Sequence, residues 1–85
     1  MTQTMREIYQ PKTLEQMLGY LVEECGEVLA AVGKTQRFGL DSCNPELPVS
    51  EREQNGDWLL REMVDLARAI GFVRKELQKR DYTDE

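Results

Sequence analysis

Two stretches of this chain carry apolar residues at helical spacing. In the first, Leu14, Leu18, Leu21, Cys25, Val28 and Val32 follow one another in steps of 4, 3, 4, 3 and 4. That rhythm is a heptad seam, one stripe along a helix. Met17, Val22 and Leu29 widen the stripe, so it faces a core rather than a single thin partner. Thr13 with Gln16 fits a capping box at the start, and Gly33 is a natural stop. In the second stretch Leu59, Met63, Leu66, Ile70, Val73 and Leu77 repeat the same steps. Ser50 and Glu53 fit another capping box, and this helix is expected to run from near Ser50 to Lys79 or Arg80, with Gly56 interrupting its first turns.

Between the stretches, residues 34–49 read as a loop, because Gly39, Asn44, Pro45 and Pro48 break any helix there. A loop of that length in so small a domain is often functional. Residues 1–12 form an N-terminal arm that Pro11 ends, and residues 81–85 a short acidic tail expected to fray. The expected fold is all-α: one domain over residues 1–85, two long amphipathic helices and one long loop. Two helices cannot cover both sides of stripes this wide. A homo-oligomer is therefore expected, most simply a dimer that completes a four-helix bundle.

Composition narrows the function. The chain has 85 residues, enough for one core, and a chain this short buries only roughly 60–65% of its unfolded surface. Eleven Lys and Arg stand against 16 Asp and Glu, a net charge of −5. With no basic run, duplex DNA or RNA and anionic membranes are poor partners. There is no His, which excludes His-based triads, His zinc sites and ExxH di-iron sites. Cys25 and Cys43 are not a disulfide framework, and Cys25 reads as a core residue on the seam. No stretch is long and apolar enough to span a bilayer, and the first residues carry no hydrophobic signal segment, so the expected location is cytoplasmic.

The acids hold matching places. With Cys25 and Val28 as seam positions, Glu24 and Glu27 flank the first seam. With Met63 and Leu66 as seam positions, Glu62 and Asp65 flank the second in the same register. Residues three apart are neighbours on a helix. If the helices pack side by side, four carboxylates converge, with Glu23 a fifth one turn before Glu27. Any one of them alone reads as a solvated helix acid. As a set they border apolar positions (Val22, Leu29, Leu60, Ala67) where a coiled coil would carry paired cations. Like charges beside a low-dielectric core call for protonation or a bridging cation. An all-oxygen set without His or thiolate suits Mg²⁺, with Mn²⁺ as a substitute. Gly19, Gly26 and Gly33 recur every seven residues, a strip that serves either close helix packing or room for a ligand.

The run Glu23-Glu24-Cys25-Gly26-Glu27, followed by Glu62-Met63-Val64-Asp65, resembles the EExxE…ExxD signature of the MazG-like all-α nucleoside triphosphate pyrophosphohydrolases. The surrounding LVEECGEVLAAVGK and LLREMVDLARAI resemble that family's two motif helices, and the likeness extends over residues 14–77. It implies homodimers or homotetramers built on four-helix bundles. It implies Mg²⁺-dependent cleavage of a nucleoside triphosphate between the α and β phosphates, giving monophosphate and pyrophosphate, as in nucleotide-pool cleaning. By motif, Glu24, Glu27, Glu62 and Asp65 would be metal ligands, and Glu23 a further ligand or the group that orients the water. The gap between the motifs, Val28 to Arg61, is longer than the family's usual one.

A triphosphate brings about four negative charges to an acidic cleft, so cations must mediate its binding. Lys34 and Arg37, past the expected end of the first helix, and Arg61 and Arg68, on the second, are candidate phosphate contacts. Phe38 in the loop and Trp58 at the helix start are candidates for stacking on a base, although Trp58 also suits a core position. Two other readings compete: a non-catalytic helical interaction or regulatory module, and a related metal-dependent hydrolase of another phosphorylated metabolite.

Overall fold

A computed structural model describes residues 9–80. Among them the chain forms two α-helices and no strand: α1, Leu14–Phe38, and α2, Asn55–Lys79, joined by a connection that holds one short 3₁₀ turn, Val49–Glu51. The helices pack against each other as an antiparallel hairpin. The all-α expectation holds. The molecule measures 47 × 30 × 19 Å, with a radius of gyration of 15.6 Å against about 12 Å for a compact chain of this length. It is a single elongated layer. Residues 1–8 of the expected arm and the 81–85 tail lie outside the described residues.

The start of α1 is as its sequence predicts. The Thr13 hydroxyl accepts from the Gln16 N–H at 3.1 Å, and the Gln16 side chain accepts from the N–H groups of Thr13 and Lys12 at 3.3 and 2.8 Å. The other three ends differ or follow for local reasons. Gly33 does not end α1. Lys34, Gln36 and Arg37 are good helix formers, and the helix continues to Phe38. It stops at Gly39, whose φ of 96° and ψ of 161° lie in a region essentially open to glycine alone. Lys34 and Arg37 therefore belong to the last turns of α1, and Phe38 to its end rather than to the loop.

The Ser50–Glu53 capping box does not form; Ser50 lies in the 3₁₀ turn, and α2 begins at Asn55 with no side-chain cap. Its first N–H groups, which have no helical partner of their own, are met from the connection instead. Asn55 N–H donates to the Ser42 carbonyl at 2.8 Å and Gly56 N–H to the Leu40 carbonyl at 2.9 Å. Gly56 does not interrupt the helix. It allows this approach: a Cβ there would stand 3.3 Å from the Leu40 side chain. Asn55 is buried, and its amide donates to the carbonyls of Gly39 (3.0 Å) and Lys34 (3.4 Å), tying the end of α1 to the start of α2. The far end of α2, at Lys79 with Arg80 as cap, falls where the periodicity puts it.

The expected seam is one residue out of register. The buried line on α1 is Met17, Glu24 and Ala31, and on α2 Asn55, Glu62, Ala69 and Val73. Cys25, expected in the core, is exposed, as are Leu18, Met63 and Ile70. The glycine strip is no packing seam of this hairpin: Gly19, Gly26 and Gly33 have nothing within 4 Å of an added Cβ. Ala31 and Ala69, both at 0% exposure, are the small residues on the two inner lines. Because the helices are antiparallel, the flank one residue beyond each inner line is the same side of the hairpin. That flank carries Leu18, Val22, Cys25 and Leu29 with Met63 and Ile70, and it is apolar. The flank one residue before each line carries Tyr20, Glu23 and Glu27 with Trp58, Arg61, Asp65 and Arg68, and it is charged and aromatic.

Candidate metal and phosphate site

Glu24 and Glu62 do not flank the seam; they occupy it, at 8% and 5% exposure. With Asp65, one turn along α2 from Glu62, they bring one carboxylate oxygen each within 4.8 Å of one another. Trp58 Nε1 donates to Glu62 Oε2 at 3.2 Å, and Arg61 Nη1 lies 3.8 Å from Glu62 Oε1. Arg68 Nη1 lies 4.0 Å from Asp65. Glu24 Oε2 is buried and has no hydrogen-bond partner among the described residues. Burial pushes the Glu24 carboxyl above the ordinary glutamate value, and the charges of Asp65, Glu62, Glu23 and Glu27 push it further.

The donor set passes a chemical test for a hard divalent cation. All the donors are carboxylate oxygens, they come from two rigid helices, and one of them is buried without a proton donor of its own. Gathered acids next to a core are otherwise unfavourable. Glu27, exposed one turn beyond Glu24, stands outside the group of three, although its charge acts on Glu24. Glu23 is exposed and lines the hollow beside the group.

Two hollows flank the acids. The first, about 1040 Å³, is bordered by Tyr20, Glu23, Asp65, Arg61 and Arg68. Tyr20 stacks at a tilt on Phe72, 6.0 Å between ring centres, with Arg68 lining the same hollow. Burial raises the Tyr20 phenol above its ordinary value and the Glu24 charge adds to this, against the opposing pull of Arg68. The second hollow, about 840 Å³, lies between the end of α1 and the connection, with Lys34, Phe38, Cys43, Leu47 and Trp58 in its walls. Trp58 is half-buried in the first turn of α2 and contributes one wall rather than a core contact. Arg37 lies over the Phe38 ring, 5.2 Å from its centre, and Lys34 lies 5.6 Å from the same centre.

The structure thus brings together Glu24, Glu62 and Asp65, with Arg61, Arg68 and Glu23 at one hollow and Lys34, Phe38 and Trp58 at the other. Three residues of this region escape a reading of the sequence alone. Tyr20 is singled out by neither the periodicity nor the motif. Asn55 reads only as a position in the first turns of the second helix, whereas its amide holds the hairpin turn. Glu53 reads as a capping partner of Ser50, whereas its carboxylate holds Arg61: Oε1 accepts from Nη2 at 3.0 Å and Oε2 from Nε at 3.2 Å. That pairing raises the Arg61 pKa above its ordinary value. The signal available for Glu53 was its charge eight residues before an arginine, a spacing no single helix would pair. No family model, curated protein or solved structure matches the chain.

Proposed function

We propose that this chain is a Mg²⁺-dependent nucleoside triphosphate pyrophosphohydrolase, working as a homo-oligomer. The observation that carries the reading is the meeting of Glu24, Glu62 and Asp65 inside the seam, one of their oxygens buried without a partner. The order EExxE…ExxD in which these acids occur supports it. A fold that keeps two buried acids where leucines would pack retains a local conflict, and such conflicts mark functional sites.

Glu24, Glu62 and Asp65 would hold the metal, with Glu27 as the further carboxylate of the motif. Mn²⁺ is the expected substitute. When bound, a divalent ion supplies charge neutralisation at phosphate oxygens and acidity to a coordinated water. The chain's own groups do the rest. The Trp58 indole fixes one Glu62 oxygen and leaves the other for ligation. Arg61 and Arg68 offer guanidinium forks to phosphate oxygens. Glu23, solvated at the wall of the same hollow, orients the water that attacks phosphorus. Lys34, Phe38 and Trp58 suit the nucleoside, with a ring face for stacking and a cation at the rim. The reaction consumes one water and releases monophosphate and pyrophosphate.

The substitutions Glu62→Gln and Asp65→Asn test the site. Each removes a charged ligand and keeps the shape of the side chain. Turnover is expected to fall by about a hundredfold or more in each. Full activity in either variant would sink the assignment.

A further inference from the structure

Arg61 reaches the metal-binding acids, yet in this structure its fork is already taken. Nη2 and Nε donate to the two oxygens of Glu53 at 3.0 and 3.2 Å, and Nη1 lies 3.8 Å from Glu62. The two-pronged match of guanidinium to carboxylate is the same match that guanidinium makes to phosphate. Both Glu53 and Arg61 border both hollows, so the pair stands at the pass between the Arg68 side and the Trp58 side. A nucleotide reaching from one hollow to the other runs over it.

We infer that Glu53 is a built-in competitor for the substrate's phosphate: in the free protein its carboxylate holds Arg61 in a phosphate's place, and ligand binding hands the guanidinium over. The inference rests on the nucleotide reading above. Three features favour a hand-over. Both side chains are substantially exposed, 51% for Arg61 and 38% for Glu53, and exposed ion pairs are weak enough to exchange. Glu53 sits on the non-helical segment just before α2, so its side chain can turn away without unwinding a helix. The backbone beside it stays anchored, because Arg52 donates to the carbonyls of Leu47 at 2.9 Å and Pro45 at 3.0 Å. Glu53 thereby sets affinity. Its displaced charge remains beside a polyanion and opposes binding.

The test is calorimetric titration of the full chain with inorganic pyrophosphate in the presence of Mg²⁺. Glu53→Gln is expected to tighten binding by about 3- to 10-fold, the scale of one exposed ion pair plus one nearby like charge. Glu53→Ala is expected to shift it the same way. In an Arg61→Gln background the Glu53→Gln effect is expected to shrink to the like-charge part alone, which ties the remainder to this pair, and an undiminished effect would overturn the hand-over. With a nucleoside triphosphate, KM is expected to fall in Glu53→Gln. Unchanged or weaker pyrophosphate binding would overturn the inference, since it would mean that Glu53 only steadies Arg61. So would the absence of binding in every variant. Turnover without the shift removes this inference alone. The shift without turnover of any nucleotide removes the nucleotide reading alone.

Discussion

Glu24 shows at one residue how the site is built at the expense of the fold. Its raised pKa means that the folded chain keeps a proton at pH values where the unfolded chain has lost it. The contribution of Glu24 to the stability of the metal-free protein is therefore most favourable at low pH. It falls as pH rises from the ordinary glutamate range through the raised value of Glu24. Melting curves recorded in chelator from about pH 4 to about pH 8 should show this decline in the parent. A much flatter profile is expected in Glu24→Gln, whose amide has no charge to desolvate. Mg²⁺, if these acids bind it, would act in the opposite sense, adding about 2.7 kcal/mol at a hundred times its Kd. That gain should disappear in Glu24→Gln. A parent whose melting temperature is unmoved by Mg²⁺ or Mn²⁺ would argue against the ligand set.

At the scale of elements, the hairpin depends on its turn. Gly39→Ala places a side chain at φ 96°, ψ 161°, and is expected to cost about 1–3 kcal/mol. Asn55→Ala strands the carbonyls of Lys34 and Gly39 and is expected to cost about as much. Urea unfolding of each variant measures both. The two helices, the Thr13–Gln16 cap and the end of α2 were legible in the sequence, because short-range periodicity and capping decide them. Which stripe turns inward was not. The rows Leu14-Leu18-Leu21-Cys25-Val28 and Met17-Leu21-Glu24-Val28-Ala31 share Leu21 and Val28 and lie side by side on one broad apolar arc. Hydrophobicity selects the first row; the partner helix in the same chain takes the second, whose Ala31 is fully buried. Glu24, Glu62 and Asp65 meet as the sequence grouped them, Glu27 does not join them, and Glu24 and Glu62 lie in the seam rather than beside it for the same reason. The capping box at Ser50 failed because distant carbonyls, those of Leu40 and Ser42, reach the start of α2 first.

The whole molecule has two unlike flanks. One carries the acids, the arginines and both hollows. The other exposes Leu18, Val22, Leu29, Met63 and Ile70, with Val22 and Leu29 at 72% and 70% exposure. Only Met17, Ala31, Ala69 and Val73 form a buried apolar core among the described residues, a small core for a chain of this length. Burial of the apolar flank against a second copy would supply the missing core and complete four helices. Sedimentation equilibrium is expected to give a dimer or tetramer for the parent and a smaller, less stable species for Leu29→Glu. A stable parent monomer would contradict this.

The most direct test of the central claim is the identity of the products. The purified chain is incubated with each common nucleoside and deoxynucleoside triphosphate, with and without Mg²⁺, and the products are resolved by phosphorus NMR. Monophosphate and pyrophosphate, formed only with the metal and lost in Glu62→Gln, is the predicted result. Diphosphate with orthophosphate, or no turnover of any nucleotide, would contradict it.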